Sequence, residues 1–497
     1  MARQRSDLRP VLAAGAVTLL ALLLRFLAAR QSLGGDELFS LEVAFRPTLG
    51  DVLDGVRGPL EITPPGYFVF AWAFAKLGDP IYWLKAPSVL AGTLTVPVIY
   101  ALGARTVGRW AGVIGGVLFA ISPYAVFYGS EARAYALTGL CVALSTLILL
   151  IALERGRWPW WVAFGAAVAA SMYAHYIAAF PLLVEVAWAL WYHSDRWRPI
   201  VFACIGAAVL YIPWIPGLLD DRTSPYQHAI SRVWPFTLNY VGTAIGQWLT
   251  GVPTWRAAKV PGPGALVVLV VGVLVLAGGL WLVRNRLPRL SPTLVLLIGL
   301  ALSGPVLAGI WSLFEPSVFV PRTFVASLPA LTLLVGAAVL AVPRAAGIAA
   351  AACLVIGLGI GTARTFGDFM RPPFRAAANY LNDHAAPGQP VLEGGAFDPG
   401  ALEAHLHPAR PVFRMDCSNA STGPGQVLTA QVHCGPKRSG VAPAVAAGRR
   451  TGRLWLVSWG RPTTTQPGFR TVSTHRFDGG LGIWVAEEAP LAHSRRP

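Results

Sequence analysis

Leu33-Gly-Gly-Asp36-Glu37-Leu-Phe-Ser40 stands directly behind an apolar run over residues 11–29. That run is long enough to cross a bilayer and too long for the core of a cleaved signal peptide. No clear small-residue cleavage site follows it, so it reads as a retained signal anchor with Arg3, Arg5 and Arg9 ahead of it. Two adjacent carboxylates just past Arg30 therefore fall where a membrane helix surfaces. At the bilayer centre a carboxylate costs roughly 3 kcal/mol on insertion scales; at the interface it is tolerated and can meet a lipid-borne molecule. Arg25, near the far end of the run, is expected to snorkel outward.

Composition agrees with a membrane protein. Of 497 residues, 55% are hydrophobic and 13% charged, against about 25% charged in a soluble domain. The net charge of +16 comes from arginines in short loops between apolar segments. That is the positive-inside pattern and not a nucleic-acid patch. Cys141, Cys204 and Cys353 lie in apolar segments and read as inert small residues. Cys417 and Cys434 lie in a polar region and can pair if it faces an oxidising compartment.

Apolar segments of spanning length recur near 87–104, 111–127, 134–153, 159–174, 177–192, 199–216, 264–283, 293–312, 322–342 and 345–363, with a shorter one near 64–78. Arg105, Arg109, Arg155, Arg157, Arg196, Arg198, Arg284, Arg286, Arg289 and Arg344 occupy alternate loops, which places those loops and the N-terminus in the cytoplasm. Parity then requires that residues 64–84 form a short re-entrant or interfacial helix pair without a net crossing. The opposite loops hold Asp36, Glu37, Glu61, Glu131, Arg133, His175, Tyr176, Asp220, Asp221, Arg222, Glu315 and Arg322. Ionisable residues that topology does not need thus gather on one face.

Between Asp36 and Glu61 the apolar positions run helically, and Thr48 with Asp51 resembles a capping box after Pro47. Short amphipathic helices of this kind lie in the interface plane. Trp234 and Trp248 read as interfacial belt residues, and Asp220 to Arg222 as a solvated loop. The expected fold is an all-α polytopic membrane domain over 1–363, with about 11–13 transmembrane helices and interfacial helices in the first outer loop. A small extracytoplasmic α/β domain over 364–497 follows it. In that domain Phe374 to His384 and Gly400 to Leu406 read as helices. Pro390 to Leu392, Arg453 to Trp459 and Gly482 to Ala486 read as strands, and Ser418 to Arg450 as a loop.

Several short motifs fall on the outer face in a telling order. They are Asp36-Glu37, Thr63-Pro64-Pro65-Gly66-Tyr67, Lys85-Ala-Pro-Ser88, Ser122-Pro123, Glu131-Ala-Arg133-Ala-Tyr135 and Tyr173-Ala-His175-Tyr176. In this order they resemble the GT-C superfamily, specifically glycosyltransferase family 39, whose relatives include protein O-mannosyltransferases and the lipid A aminoarabinose transferase. The resemblance covers roughly residues 1–363. Thr63 departs from a His common among relatives. Lys85 stands where many have Arg, which keeps the charge but loses the planar fork.

The resemblance implies inverting transfer of a sugar, mannose or a pentose, from a polyprenyl phosphate to an extracytoplasmic hydroxyl of a protein, lipid or polysaccharide. Such transfer needs a carboxylate on the acceptor proton as general base; this falls to Asp36, with Glu37 beside it. Direct displacement needs no carboxylate nucleophile. The leaving phosphate gains charge, which Arg133 and Arg322 can grip bidentately. Lys85, Glu61, Glu131, Tyr135, His175 and Tyr176 complete the expected donor and substrate contacts. Glu131 and Arg133 read alternatively as a mutual ion pair. No metal-binding spacing occurs, so neither metal nor other cofactor is expected. A transporter or lipid flippase is the competing reading, but it would place ionisable groups near the midplane within inverted repeats. The expected location is the plasma membrane, with the N-terminus cytoplasmic and the active site outside.

Overall fold

The computed structural model describes residues 2–58, 61–224, 231–286, 290–394, 400–406, 411–415, 432–433, 439–459, 461, 465–479 and 482–491. The chain forms two compact units, Met1–Ala29 with Arg46–Arg364, and Arg30–Phe45 with Thr365–Pro497. A division after residue 363 does not anticipate that Arg30–Phe45, which carries Asp36, belongs with the second unit. Cys417 and Cys434 lie outside the described residues.

The first helices in chain order are α1 (Ala2–Ala29), α2 (Asp36–Ala44), α3 (Leu49–Val56), α4 (Gly66–Ala75), α5 (Pro80–Trp83), α6 (Ala86–Arg105), α7 (Arg109–Ile121) and α8 (Pro123–Tyr128). Next come α9 (Tyr135–Arg155), α10 (Trp158–Ala174), α11 (Ala179–Tyr192), α12 (Trp197–Tyr211) and α13 (Ile215–Thr223). α14 (Leu238–Thr250), α15 (Pro263–Val283), α16 (Pro292–Phe314), α17 (Leu328–Ala341) and α18 (Arg344–Thr365) complete the helical part. Among the described residues, eight helical stretches are long and apolar enough to cross a membrane: 8–29, 81–105, 135–155, 194–223, 263–283, 292–314, 321–341 and 344–365. Gly66–Ala75, Arg109–Ile121 and Tyr176–Tyr192 are shorter apolar helices.

The chemistry of the sequence explains the short ones. α4 has 10 residues, about 15 Å at 1.5 Å per residue, half the thickness of a bilayer core. The run expected over 111–127 is cut at Ser122-Pro123 because the residue before a proline is pushed out of the helical region. Ser122 is extended, and its hydroxyl accepts the Ala125 N–H at 3.4 Å, opening α8. The Thr48–Asp51 capping box is present at the start of α3.

Close packing in the first unit rests on small residues, as expected where lipid removes any hydrophobic drive between helices. A Cβ at Gly103 of α6 would lie 2.6 Å from Gly112 Cα of α7, and one at Gly115 would lie 2.9 Å from Leu333 Cα of α17. A polar link joins α9 to α11, where Thr146 and Ser145 hydroxyls lie 2.5 and 2.9 Å from Glu185 Oε1.

Three sets of residues depart from the sequence expectations. Arg25 does not snorkel; it is fully buried, donates to the carbonyls of Ala21 at 3.2 Å and Ala120 at 3.3 Å, and lies over the Phe119 ring. α7 ends at Ile121, so its last carbonyls lack intrahelical donors, and a cation suits the negative end of the helix dipole. Trp248 is no belt residue but is buried against Phe324, ring centroids 5.6 Å apart. Asp220 to Arg222 is not a loop; it lies in α13, with Asp221 buried and hydrogen-bonded by the Tyr176 hydroxyl.

In the second unit, α19 (Phe374–His384) and α20 (Val441–Thr451) accompany a six-stranded sheet in the order β3-β2-β1-β4-β6-β5. The strands are β1 (Val391–Gly394), β2 (Val412–Arg414), β3 (Val432–His433), β4 (Leu454–Trp459), β5 (Phe469–Phe477) and β6 (Ile483–Pro490). β3, β2, β1 and β4 run parallel, and β6 and β5 are antiparallel. β1 is buried along its whole length, as parallel strands covered on both faces are. Residues 418–450, expected as a loop, in fact contain the start of α20. Its Ala444 and Ala447 pack on Leu454 and Leu456, a short small-residue face hidden by flanking Pro and Gly. Gly400 to Leu406 holds only the 3-10 turn Glu403–His405. β5 escaped notice because its exposed stretch Arg470–Arg476 has no apolar alternation, which also suits an edge strand.

Candidate active site

The loop behind the first span is built around one glycine. Gly35 sits at φ +52°, a backbone region that a side chain disfavours, and it turns the chain into α2 at Asp36. Glu37 is fully buried. Its carboxylate accepts the Gly34 N–H at 3.2 Å and is ion-paired with the Arg371 guanidinium. The segment before the turn is fastened in the same unit. The Gln31 amide donates to Thr365 O and accepts the Arg371 N–H, both at 3.0 Å. Ser32 Oγ accepts the Arg375 N–H at 3.0 Å, and Arg375 donates to Arg30 O at 2.9 Å. Asp36, next to the anchored Glu37, remains half-buried. Arg371 and Arg375 follow the last span without any motif, so sequence reasoning passed over them.

In the first unit the structure brings together most of the other expected residues. Arg133 is buried and closes its fork on Glu61 at 2.6 and 2.9 Å, with Thr63 Oγ1 at 3.3 Å and the Phe68 ring below. Glu61 is thus a bidentate partner of Arg133, a pairing that the sequence did not single out. The Ser88 hydroxyl donates to Arg133 O at 3.1 Å. Lys85, three residues earlier, is buried at the start of α6. Tyr67 of the Pro-Pro-Gly-Tyr stretch donates to Leu84 O at 2.8 Å, holding α4 against that start.

Tyr135, the first residue of α9, lies 5.6 Å ring to ring from His175. His175 Nδ1 accepts the Ile177 N–H at 3.3 Å, so the imidazole caps the turn that follows α10. Burial, then the charges of Arg133 and Arg322, push His175 down to about 3, and the ring is neutral at neutral pH. Arg322 is half-buried in the 3-10 turn Pro321–Ser327, whose entry is fixed by Tyr124 donating to Pro321 O at 2.6 Å. Tyr176, expected as a substrate contact, is engaged by Asp221 and by Trp214 Nε1 at 3.0 Å. Glu131 is half-buried. Among the described residues, no group of three or more His, Cys, Asp or Glu is placed to hold a metal ion.

The chain has the fold of a GT-C glycosyltransferase. Residues 63–218 match the family model for dolichyl-phosphate-mannose-protein mannosyltransferase. ArnT from Cupriavidus metallidurans, bound to undecaprenyl phosphate, is similar in structure with a TM-score of 0.54 and 16% identity, covering 98% of this chain and 99% of that one. Its apo state gives a TM-score of 0.55 at 16% identity, covering 98% of both chains. The apo oligosaccharyltransferase of Archaeoglobus fulgidus gives 0.50 at 11% identity, over 91% of this chain and 69% of that one. No curated protein matches the sequence. None of these findings supports a transporter.

Proposed function

We propose that this protein transfers a sugar from a polyprenyl-phosphate donor to an acceptor hydroxyl outside the cytoplasm, with inversion. The observation that carries the reading is the match of residues 63–218 to a family named for transfer from a lipid-phosphate mannose, on a GT-C fold. Mannose or a pentose is the sugar, and a protein, lipid or polysaccharide carries the acceptor hydroxyl. The arginine-rich loops put the N-terminus in the cytoplasm and the C-terminal unit outside.

Asp36 is the general base. It is the half-buried carboxylate of the first loop, while its neighbour Glu37, read from sequence as a second catalytic group, serves as the anchor. The acceptor oxygen attacks the anomeric carbon as Asp36 takes its proton, and the carbon–phosphate oxygen bond breaks on the opposite side. Arg322 and Lys85 stabilise the charge gained by the departing phosphate. Arg133 is neutralised by Glu61, so it shapes that region more than it adds net charge. Neutral His175, with Tyr135 and Tyr176, contacts the sugar, and Glu131 contributes a polar edge.

The test is transfer by purified protein from a panel of polyprenyl-phosphate sugars. Asp36→Asn, nearly isosteric, is expected to abolish turnover while donor binding stays measurable. Turnover equal to wild type would remove Asp36 from the base role, and no transfer from any donor by wild type would sink the reading as a whole.

A further inference from the structure

We propose that Arg371 is a positioning residue for transfer, holding the first loop in its working shape through Glu37; this rests on Asp36 being the base. Glu37 follows Asp36 in the first turn of α2, so whatever fixes one orients the other. The Glu37 carboxylate receives two donors at once, the Arg371 guanidinium and the Gly34 N–H, and so closes the turn around Gly35. Arg371 also contributes its main chain, donating its N–H to Gln31 Oε1 at 3.0 Å, upstream of the same turn. One residue thus grips both sides of the loop that presents Asp36.

A buried ion pair is weak evidence for stability, because desolvation offsets the attraction, yet breaking it from one side leaves a buried charge uncompensated. The expectation is therefore a loop that loses its fixed geometry while the fold persists. Misplacement of a reacting group by about 1 Å costs on the order of 100-fold in rate.

The experiment uses the full chain in detergent, with the polyprenyl-phosphate mannose or pentose that wild type turns over. Arg371→Met is expected to lower kcat by about 10- to 100-fold, with the donor KM little changed and the melting temperature lowered but the protein still folded at the assay temperature. Arg371→Lys, which keeps the charge without the fork, is expected to recover part of the loss. Glu37→Gln is expected to resemble Arg371→Met, and the double variant to be no worse than either single one, as partners in one interaction behave. Amide exchange in peptides covering 33–40 is expected to rise in each.

Wild-type kcat in Arg371→Met, or losses that add in the double variant, would overturn the proposal. Should Arg371→Met not fold, Glu37→Gln breaks the same pair from the other side, and wild-type kcat there is equally fatal. The two readings fail separately. An active Asp36→Asn protein counts against the base, whereas an inactive one beside a fully active Arg371→Met counts against Arg371 alone.

Discussion

His175 shows what a single position contributes. Its Nδ1 accepts a main-chain N–H, so a proton there would break the cap, and burial with two arginines nearby pushes it from 6.5 to about 3. Between those values this imidazole is charged in the unfolded chain and neutral in the folded one, so its contribution to stability falls as pH drops below about 6.5. At pH 5 the loss is at most about 2 kcal/mol, lessened by solvent reaching the half-buried ring. Thermal melts of wild type between pH 7 and 5 are expected to fall more steeply than those of His175→Gln; parallel curves would remove His175 as the cause. Positions such as Asp36, Glu61, Arg133 and His175 could be picked out in the sequence because ionisable groups between apolar segments are conspicuous. Arg371 could not. It is one arginine in an arginine-rich stretch, and only folding brings it to Glu37, 334 residues away.

At the scale of elements, hydropathy located the long helices to within a few residues, because a bilayer demands about twenty apolar residues in a row. It could not say which way a polar residue inside such a helix turns. Arg25 illustrates this, since its orientation depends on a gap between Gly92 and Gly129. A Cβ at either glycine would lie 2.7 and 2.6 Å from Arg25 Nε. The guanidinium then supplies a donor to Ala120 O at the carbonyl end of α7, where the Ser122-Pro123 break ends the intrahelical ladder. Arg25→Leu is expected to destabilise the protein by about 1–3 kcal/mol, the cost of a buried carbonyl without its donor. Gly92→Ala is expected to act in the same direction by displacing the guanidinium. Unchanged melting temperatures in both would mean that α7 ends stably without the arginine.

At the scale of the whole molecule, the membrane part was readable from composition, whereas the second unit was readable only in pieces. Its sheet joins strands distant in sequence, and the alternation that marks strands is weak in β1, buried on both faces, and in β5, exposed along its length. Two groups, one in each unit, answer pH in opposite senses. In the second, Glu393 and Glu403 are buried on one arginine, with Arg414 at 3.4 Å from the first and 2.7 Å from the second. Burial, and then Glu403, raise Glu393 well above 4.5, and Arg414 only partly opposes this. The folded state therefore keeps a proton that the unfolded chain releases, and the stability this group contributes is lost as pH rises from about 4.5. The His175 contribution, in contrast, is lost as pH falls. Amide exchange on the intact protein, corrected for intrinsic chemistry, is expected to show protection of β1 and β4 rising from pH 7 to pH 5 while protection of residues 173–178 declines. Glu393→Gln should erase the first trend and leave the second, and His175→Gln the reverse. A single trend shared by both units, or one that survives both substitutions, would show that neither group governs its unit's response.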